Sequence, residues 1–157
     1  MKKAAVTPQA FSIMRTLHII AHQTDEIFDA LLRTEFKLTL ARFRIMLPLV
    51  EIGPMTQADI ARFHFLTEAS IARQVKLLVD DGFLRRLPDC TDGRKFVLTF
   101  TKKTETLLPT IKARLSTEID TIYSDLSPTE LISIEALLHK LRTLGSAYTS
   151  GDFVCPG

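Results

Sequence analysis

Thr67-Glu68-Ala69-Ser70-Ile71-Ala72-Arg73-Gln74-Val75-Lys76-Leu77-Leu78-Val79-Asp80-Asp81, followed by Gly82-Phe83-Leu84-Arg85-Arg86-Leu87, is the stretch that decides the fold. Thr67 is a hydroxyl cap and Gly82 a stop, so a helix is expected from Glu68 to Asp81. At about 100° per residue, Ile71, Val75 and Leu78 fall in one narrow stripe that belongs on a core. The opposite side shows Ala69, Ser70, Ala72, Arg73 and Lys76. Small residues let such a face enter a groove, and a hydroxyl with two cations can reach phosphates and base edges. The bland reading of the same face is a solvated surface with ordinary cations.

Upstream, Thr39 can cap a helix through Phe43, Ile45, Met46 and Leu49, with Pro48 expected to kink or shorten it. Gly53-Pro54 stops it, and Thr56-Gln57-Ala58-Asp59 resembles a capping box opening a short helix that ends near Phe63. Downstream, Phe83 to Leu87 and Lys95 to Phe100 read as strands. Phe96, Leu98 and Phe100 lie on one face of the second. Between them, Pro88-Asp89-Cys90-Thr91-Asp92-Gly93-Arg94 is turn chemistry. The order helix, helix, turn, helix, hairpin describes a winged helix-turn-helix. A hairpin carrying Arg85, Arg86, Arg94 and Lys95 can reach a minor groove, with Asp92 holding the Arg94 guanidinium.

Working outward, Phe11, Met14, Leu17, Ala21, Ile27, Phe28 and Leu31 recur at helical steps, predicting a helix from about Pro8 to Arg33. Leu108, Ile111, Leu115, Ile119, Ile122 and Leu126 form a heptad-like seam bent by Pro109. Ser127-Pro128-Thr129-Glu130 opens a last helix through Leu131, Ile134, Leu137, Leu138 and Leu141. These seams exceed what one small winged domain can cover, so a homodimer is expected. The expected fold is mainly α with a small β-hairpin. An N-terminal dimerisation helix occupies 1–37, the winged helix-turn-helix 38–101, C-terminal dimerisation helices 102–149 and a flexible tail 150–157, all within one compact domain.

Composition agrees. The 157 residues are 46% hydrophobic and 24% charged, with 6 Gly and 7 Pro, which favours a globular core over disorder or a turn-dense β fold. Net charge is +2, but Pro54 to Lys103 holds 9 Lys and Arg against 6 Asp and Glu, so the middle is mildly basic. No apolar run reaches the roughly 18 residues of a membrane span. No secretory signal is read at the start, and Cys90 and Cys155 cannot make a disulfide framework, so a reducing cytoplasm is expected. No enzyme is expected: the chain has no Gly-x-Ser-x-Gly elbow, P-loop, His-Glu-x-x-His or Pro-Cys-His stretch.

The stretch from Leu38 to Thr101 resembles the MarR-type (multiple-antibiotic-resistance regulator) winged-helix transcription factors. The resemblance is carried by Leu38-Thr39, by Gly53-Pro54-Met55-Thr56-Gln57, by Ser70-Ile71-Ala72-Arg73-Gln74-Val75, by Leu78 through Gly82-Phe83-Leu84, and by Asp92-Gly93-Arg94. It departs from the family at Phe65, where the helix-turn-helix turn usually holds Gly, at Ala72, where a hydroxyl is common, and at Thr104, usually Gly. The resemblance implies a dimeric regulator, a repressor of an inverted-repeat operator released by a small-molecule effector, with double-stranded DNA as partner. The candidate DNA-binding residues are Thr56, Gln57, Ala69, Ser70, Arg73, Lys76, Arg86, Asp92, Arg94 and Lys95. A small aromatic or phenolic ligand is implied against Phe11, Met14, His18, Phe43 and Met46, and no cofactor or membrane partner is expected.

Other classes remain beside this one. A winged-helix protein-interaction module would not need cations at Arg73, Lys76 and Arg94. A metal-responsive regulator could use His18 and His22, four apart, with Asp25 or Glu26 or a ligand from another chain, although a pair of half-buried, hydrogen-bonded histidines is the stronger account of that spacing. A redox-responsive one could use Cys90 in the wing loop. No metal site is assigned, and His64 and His139 are isolated.

Overall fold

The computed structural model describes residues 8–89 and 95–149. Two compact units are distinguished, 1–115 and 116–157.

The first unit opens with α1, Pro8–Phe36, three residues longer than its apolar periodicity predicted. Only Leu31 and Leu32 of this helix are buried, with Phe28 and Phe36 packed partly against the same core, so α1 before Phe28 adds no buried side chain to it. Lys37 takes a positive φ of 56°, and the chain enters α2, Leu40–Glu51. Thr39 caps α2 as expected, accepting the Arg42 amide through its hydroxyl at 3.2 Å. Pro48 does not shorten α2. The helix continues to Glu51, because the ring packs fully into the core and the Pro48 carbonyl still accepts the Ile52 amide at 2.9 Å.

Gly53, at φ +105°, turns the chain into β1, Met55–Thr56. This third strand is absent from the expected hairpin. Two residues are too few to show alternation, and only the pairing of Met55 with Leu98 and Thr56 with Val97 defines them. The helices α3, Gln57–Phe63, and α4, Glu68–Asp80, follow, capped by Thr56 and Thr67. α4 ends in a Schellman arrangement, with the Phe83 amide bonding to the Leu78 carbonyl at 2.8 Å and the Gly82 amide to Val79 at 3.0 Å. Gly82 supplies the required φ of +74°.

Strands β2, Leu84–Pro88, and β3, Phe96–Phe100, complete an antiparallel sheet of order β1-β3-β2. The inward face of the hairpin is that of Leu84, Leu98 and Phe100, while Phe96 on the same side is exposed beyond the core. The first part of α5, Lys102–Ile122, closes the unit with Leu108, Ile111 and Leu115 in the same core as Leu38, Phe43, Met46, Ile60, Ile71, Val75 and Leu78. Pro109 lies inside α5, which runs on thirteen residues past it. Thr104, where Gly was the expected family residue, is fully buried and satisfied: its hydroxyl donates to the Phe83 carbonyl at 2.8 Å.

The second unit holds the end of α5 and α6, Pro128–Thr149. Leu126 falls beyond the end of α5, in the turn. Ser127 and Glu130 form a full capping box: the Ser127 hydroxyl accepts the Glu130 amide at 3.3 Å, and the Glu130 carboxylate accepts the Ser127 amide at 2.8 Å. Residues 128–145 of α6 are exposed throughout. No helix among the described residues is long and apolar enough to cross a membrane.

Candidate nucleic-acid interface

The geometry of the reading head starts at the α3–α4 junction. The Thr56 hydroxyl accepts the Asp59 amide at 3.1 Å and donates to the Asp59 carboxylate at 2.7 Å, so it is committed to the cap. That hydroxyl bond, ahead of Arg62, holds the Asp59 carboxyl below its usual range. Gln57 reaches across instead, its amide nitrogen 3.4 Å from the Glu68 carbonyl at the start of α4. The turn between the helices carries Phe65 at φ +54°, a left-handed backbone with its ring 96% exposed. Phe65 stands where the resemblance leads one to expect Gly, and it takes a left-handed backbone that favours Gly.

Along α4, Ile71, Val75 and Leu78 are buried, as their spacing predicted. Ala69, Ser70, Arg73 and Lys76 stand exposed on the opposite face, and Ala72 is half-buried beside them. The Thr67 and Ser70 hydroxyls share a hydrogen bond of 2.7 Å. Lys76 is engaged within the helix, its ammonium 2.5 Å from Asp80. Arg73 has no hydrogen bond or ion pair among the described residues, so its guanidinium carries all five donors unspent.

The hairpin separates two arginines that are adjacent in sequence. Arg86 pairs with Leu98 and Arg85 with Thr99, so they project from opposite faces of the sheet. Arg86 lies on the Leu98 side, where a cavity of about 210 Å³ is lined by Gln57, Arg86, Phe96 and Leu98. The structure thus gathers Gln57 and Arg86 into one groove beside the exposed Phe96. The strand period places Phe96 on the face of Leu98 and Phe100, but its meeting with Gln57 and Arg86 follows only from the sheet register. Lys95 is exposed immediately before β3. Asp92 and Arg94, with Cys90, fall outside the described residues.

The remaining candidates are not gathered. Phe43 and Met46 are core residues, whereas Phe11, Met14 and His18 are exposed along α1. His18 and His22 are not half-buried. Both lie on the open face of α1, and His22 Nε2 faces Glu26 at 3.6 Å. No group of three or more His, Cys, Asp or Glu that could hold a metal occurs among the described residues.

This arrangement has known counterparts. Residues 38–96 match the model of the MarR family. The matched segment runs from the residue before the α2 cap to the first residue of β3. The chain is 26% identical over 133 residues to the uncharacterised HTH-type transcriptional regulator YybA of Bacillus subtilis (strain 168), covering 83% of this chain and 86% of that protein. The fold is that of the transcriptional regulator BldR from Sulfolobus solfataricus, with a TM-score of 0.71, 24% identity, and 88% and 96% of the two chains covered. A cysteine-to-serine mutant of MarR from E. coli, solved with operator DNA, aligns at a TM-score of 0.73 with 17% identity over 88% and 99% of the chains.

Proposed function

We propose that this chain is a MarR-type regulator that binds double-stranded DNA as a homodimer and represses transcription from an inverted-repeat operator. The observation that carries the proposal is α4: a fully buried stripe on one side and, on the other, small residues around an unpaired Arg73. Such a helix fits a major groove, with Arg73 free to form a bidentate contact to a guanine edge. Ala69 and Ser70 allow close approach. Gln57 and Arg86, gathered in one groove, would hold the phosphates alongside, and Lys76 can exchange its Asp80 partner for a phosphate because that pair is exposed. Thr56 serves through its cap, which orients α3. Lys95, Asp92 and Arg94 belong to the wing that would follow the minor groove.

The dimer is supported by apolar side chains that stay uncovered among the described residues. Phe11, Ile13 and Met14 on α1, and Ile132, Leu137 and Leu144 on α6, are each at least half exposed. A two-fold pair would present two copies of α4 about one helical turn of DNA apart. Release by a small aromatic or phenolic ligand follows the family pattern, with Phe11, Met14 and His18 on the open side of α1. Such a regulator works where the DNA is, in the cytoplasm.

Salt-titrated binding to a selected operator tests the reading. Arg73→Ala is expected to cost about 1–3 kcal/mol and to relax preference at one position in each half-site. Unchanged affinity and selectivity would refute it, as would a protein-interaction module that ignores DNA altogether. Sedimentation showing a stable monomer at micromolar concentration would refute the dimer.

A further inference from the structure

We propose that the ion pair between Asp25 and Arg44 sets the angle of α1 against the winged head, and thereby the operator spacing the protein accepts. This rests on the dimeric DNA-binding reading above.

The joint between α1 and the winged head is small. Leu31 and Leu32 are the only buried residues of a 29-residue helix, and Phe28 and Phe36 pack partly beside them. Two leucines one residue apart make a pivot and leave the tilt of the helix weakly defined. Polar tethers lie on both sides of that pivot. On the N-terminal side, Arg44 grips Asp25 with both terminal nitrogens, at 2.5 and 2.9 Å. At the pivot, Asp29 accepts the Leu40 amide at 2.8 Å with one oxygen and pairs with Arg33 through the other. On the C-terminal side, Glu35 receives Arg114 of α5 in a bidentate contact of 2.7 and 2.9 Å.

A bidentate fork constrains direction as well as distance. The Asp25–Arg44 pair is the outermost tether, about 9 Å along the axis from Leu31 at 1.5 Å per residue. Both side chains are substantially exposed, 38% and 50%, so the pair adds little to folding stability. Its leverage lies in geometry. Phe11 is about 30 Å from the pivot at the same rise, so a tilt of about 10° moves that end of α1 by about 5 Å. In a two-fold dimer joined through α1, the same tilt displaces each α4. Half-site centres lie about 34–36 Å apart on DNA, and base pairs are stacked about 3.4 Å apart, so 5 Å exceeds one base-pair step.

The test compares Arg44→Ala, Asp25→Ala and the charge-swapped double variant Asp25→Arg with Arg44→Asp. Binding is measured to the full operator, to operators with spacers one base pair longer or shorter, and to a duplex with one half-site. The single variants are expected to bind the full operator about 10-fold more weakly and to lose the wild-type preference among spacers. Half-site affinity and melting temperature stay unchanged, and the swap recovers the spacer preference. Equal losses on full and half sites would make Arg44 a DNA contact and overturn the proposal, as would an unaltered spacer preference. If the wild type itself shows no advantage for two half-sites, the dimeric reading fails first and takes this proposal with it.

Discussion

Replacing Phe65 by Gly is expected to stabilise the protein. The residue sits at φ +54°, where an L side chain crowds the following carbonyl at a cost of about 1–2 kcal/mol. Gly adopts this backbone freely, but its larger unfolded-state freedom returns about 0.5–1 kcal/mol of that gain. No buried contact is lost, since the ring is 96% exposed. The turn bonds, Phe65 amide to Arg62 carbonyl at 3.1 Å and Leu66 amide to Ala61 carbonyl at 2.9 Å, involve backbone alone and survive the change. The net gain is about 0.5–1 kcal/mol, or about 1–4 °C in melting temperature for a chain of this size. Urea unfolding at fixed protein concentration should show a higher midpoint with the same slope. Phe65→Ala is the control: it removes the ring but keeps Cβ, and should gain nothing. If Gly and Ala behave alike, or Gly lowers the midpoint, the strain argument is wrong.

Thr104→Val should cost about 1 kcal/mol, because the buried hydroxyl that donates to the Phe83 carbonyl is removed while volume is kept. Thr104→Gly, the family's usual residue, should cost about 1 kcal/mol more for a flexible residue within a helix, and thermal melts will rank the two. Stability should also fall in acid. Arg33 and the Leu40 amide hold the Asp29 carboxyl below its usual range, and Arg114 does the same for Glu35. A depressed carboxylate stabilises the fold above the ordinary carboxylate range and loses that contribution as pH falls below about 4. Urea midpoints followed from pH 6 to 3 should therefore drop, and Glu35→Gln should make the drop shallower; a parallel curve would remove Glu35 from the account. Thr67→Ala should cost about 1 kcal/mol through the lost cap on α4, seen as a lower urea midpoint with unchanged slope.

What the sequence made legible was local. Thr39, Thr56, Thr67 and Ser127 cap the helices they precede, because a cap needs only a hydroxyl and an amide three residues on. The buried stripe of α4 follows from the helical period alone. What was not legible depends on partners far along the chain. β1 exists only through its pairing with β3, and Asp29 meets the Leu40 amide eleven residues away. Within the candidate site, Arg73 was legible from its position opposite the stripe. The parting of Arg85 from Arg86 required the strand register, and the Gln57–Arg86 groove required the whole sheet. Lys76 with Asp80 was open to reading from its four-residue spacing, which brings opposite charges together on one helix face.

The sheet order leaves β2 as the longer free edge, five residues with one side unpaired. A bare edge of that length invites another molecule to extend the sheet, and concentrated regulators bound side by side on DNA would be especially prone to it. Arg85 and Arg86 place like charges along this rim, and Pro88 withholds an amide at its end. The arginine proposed to meet phosphate is thus also a guard against self-association. Exchanging both arginines for valine would give a protein that loses solubility as well as affinity, and the two losses would need to be measured apart.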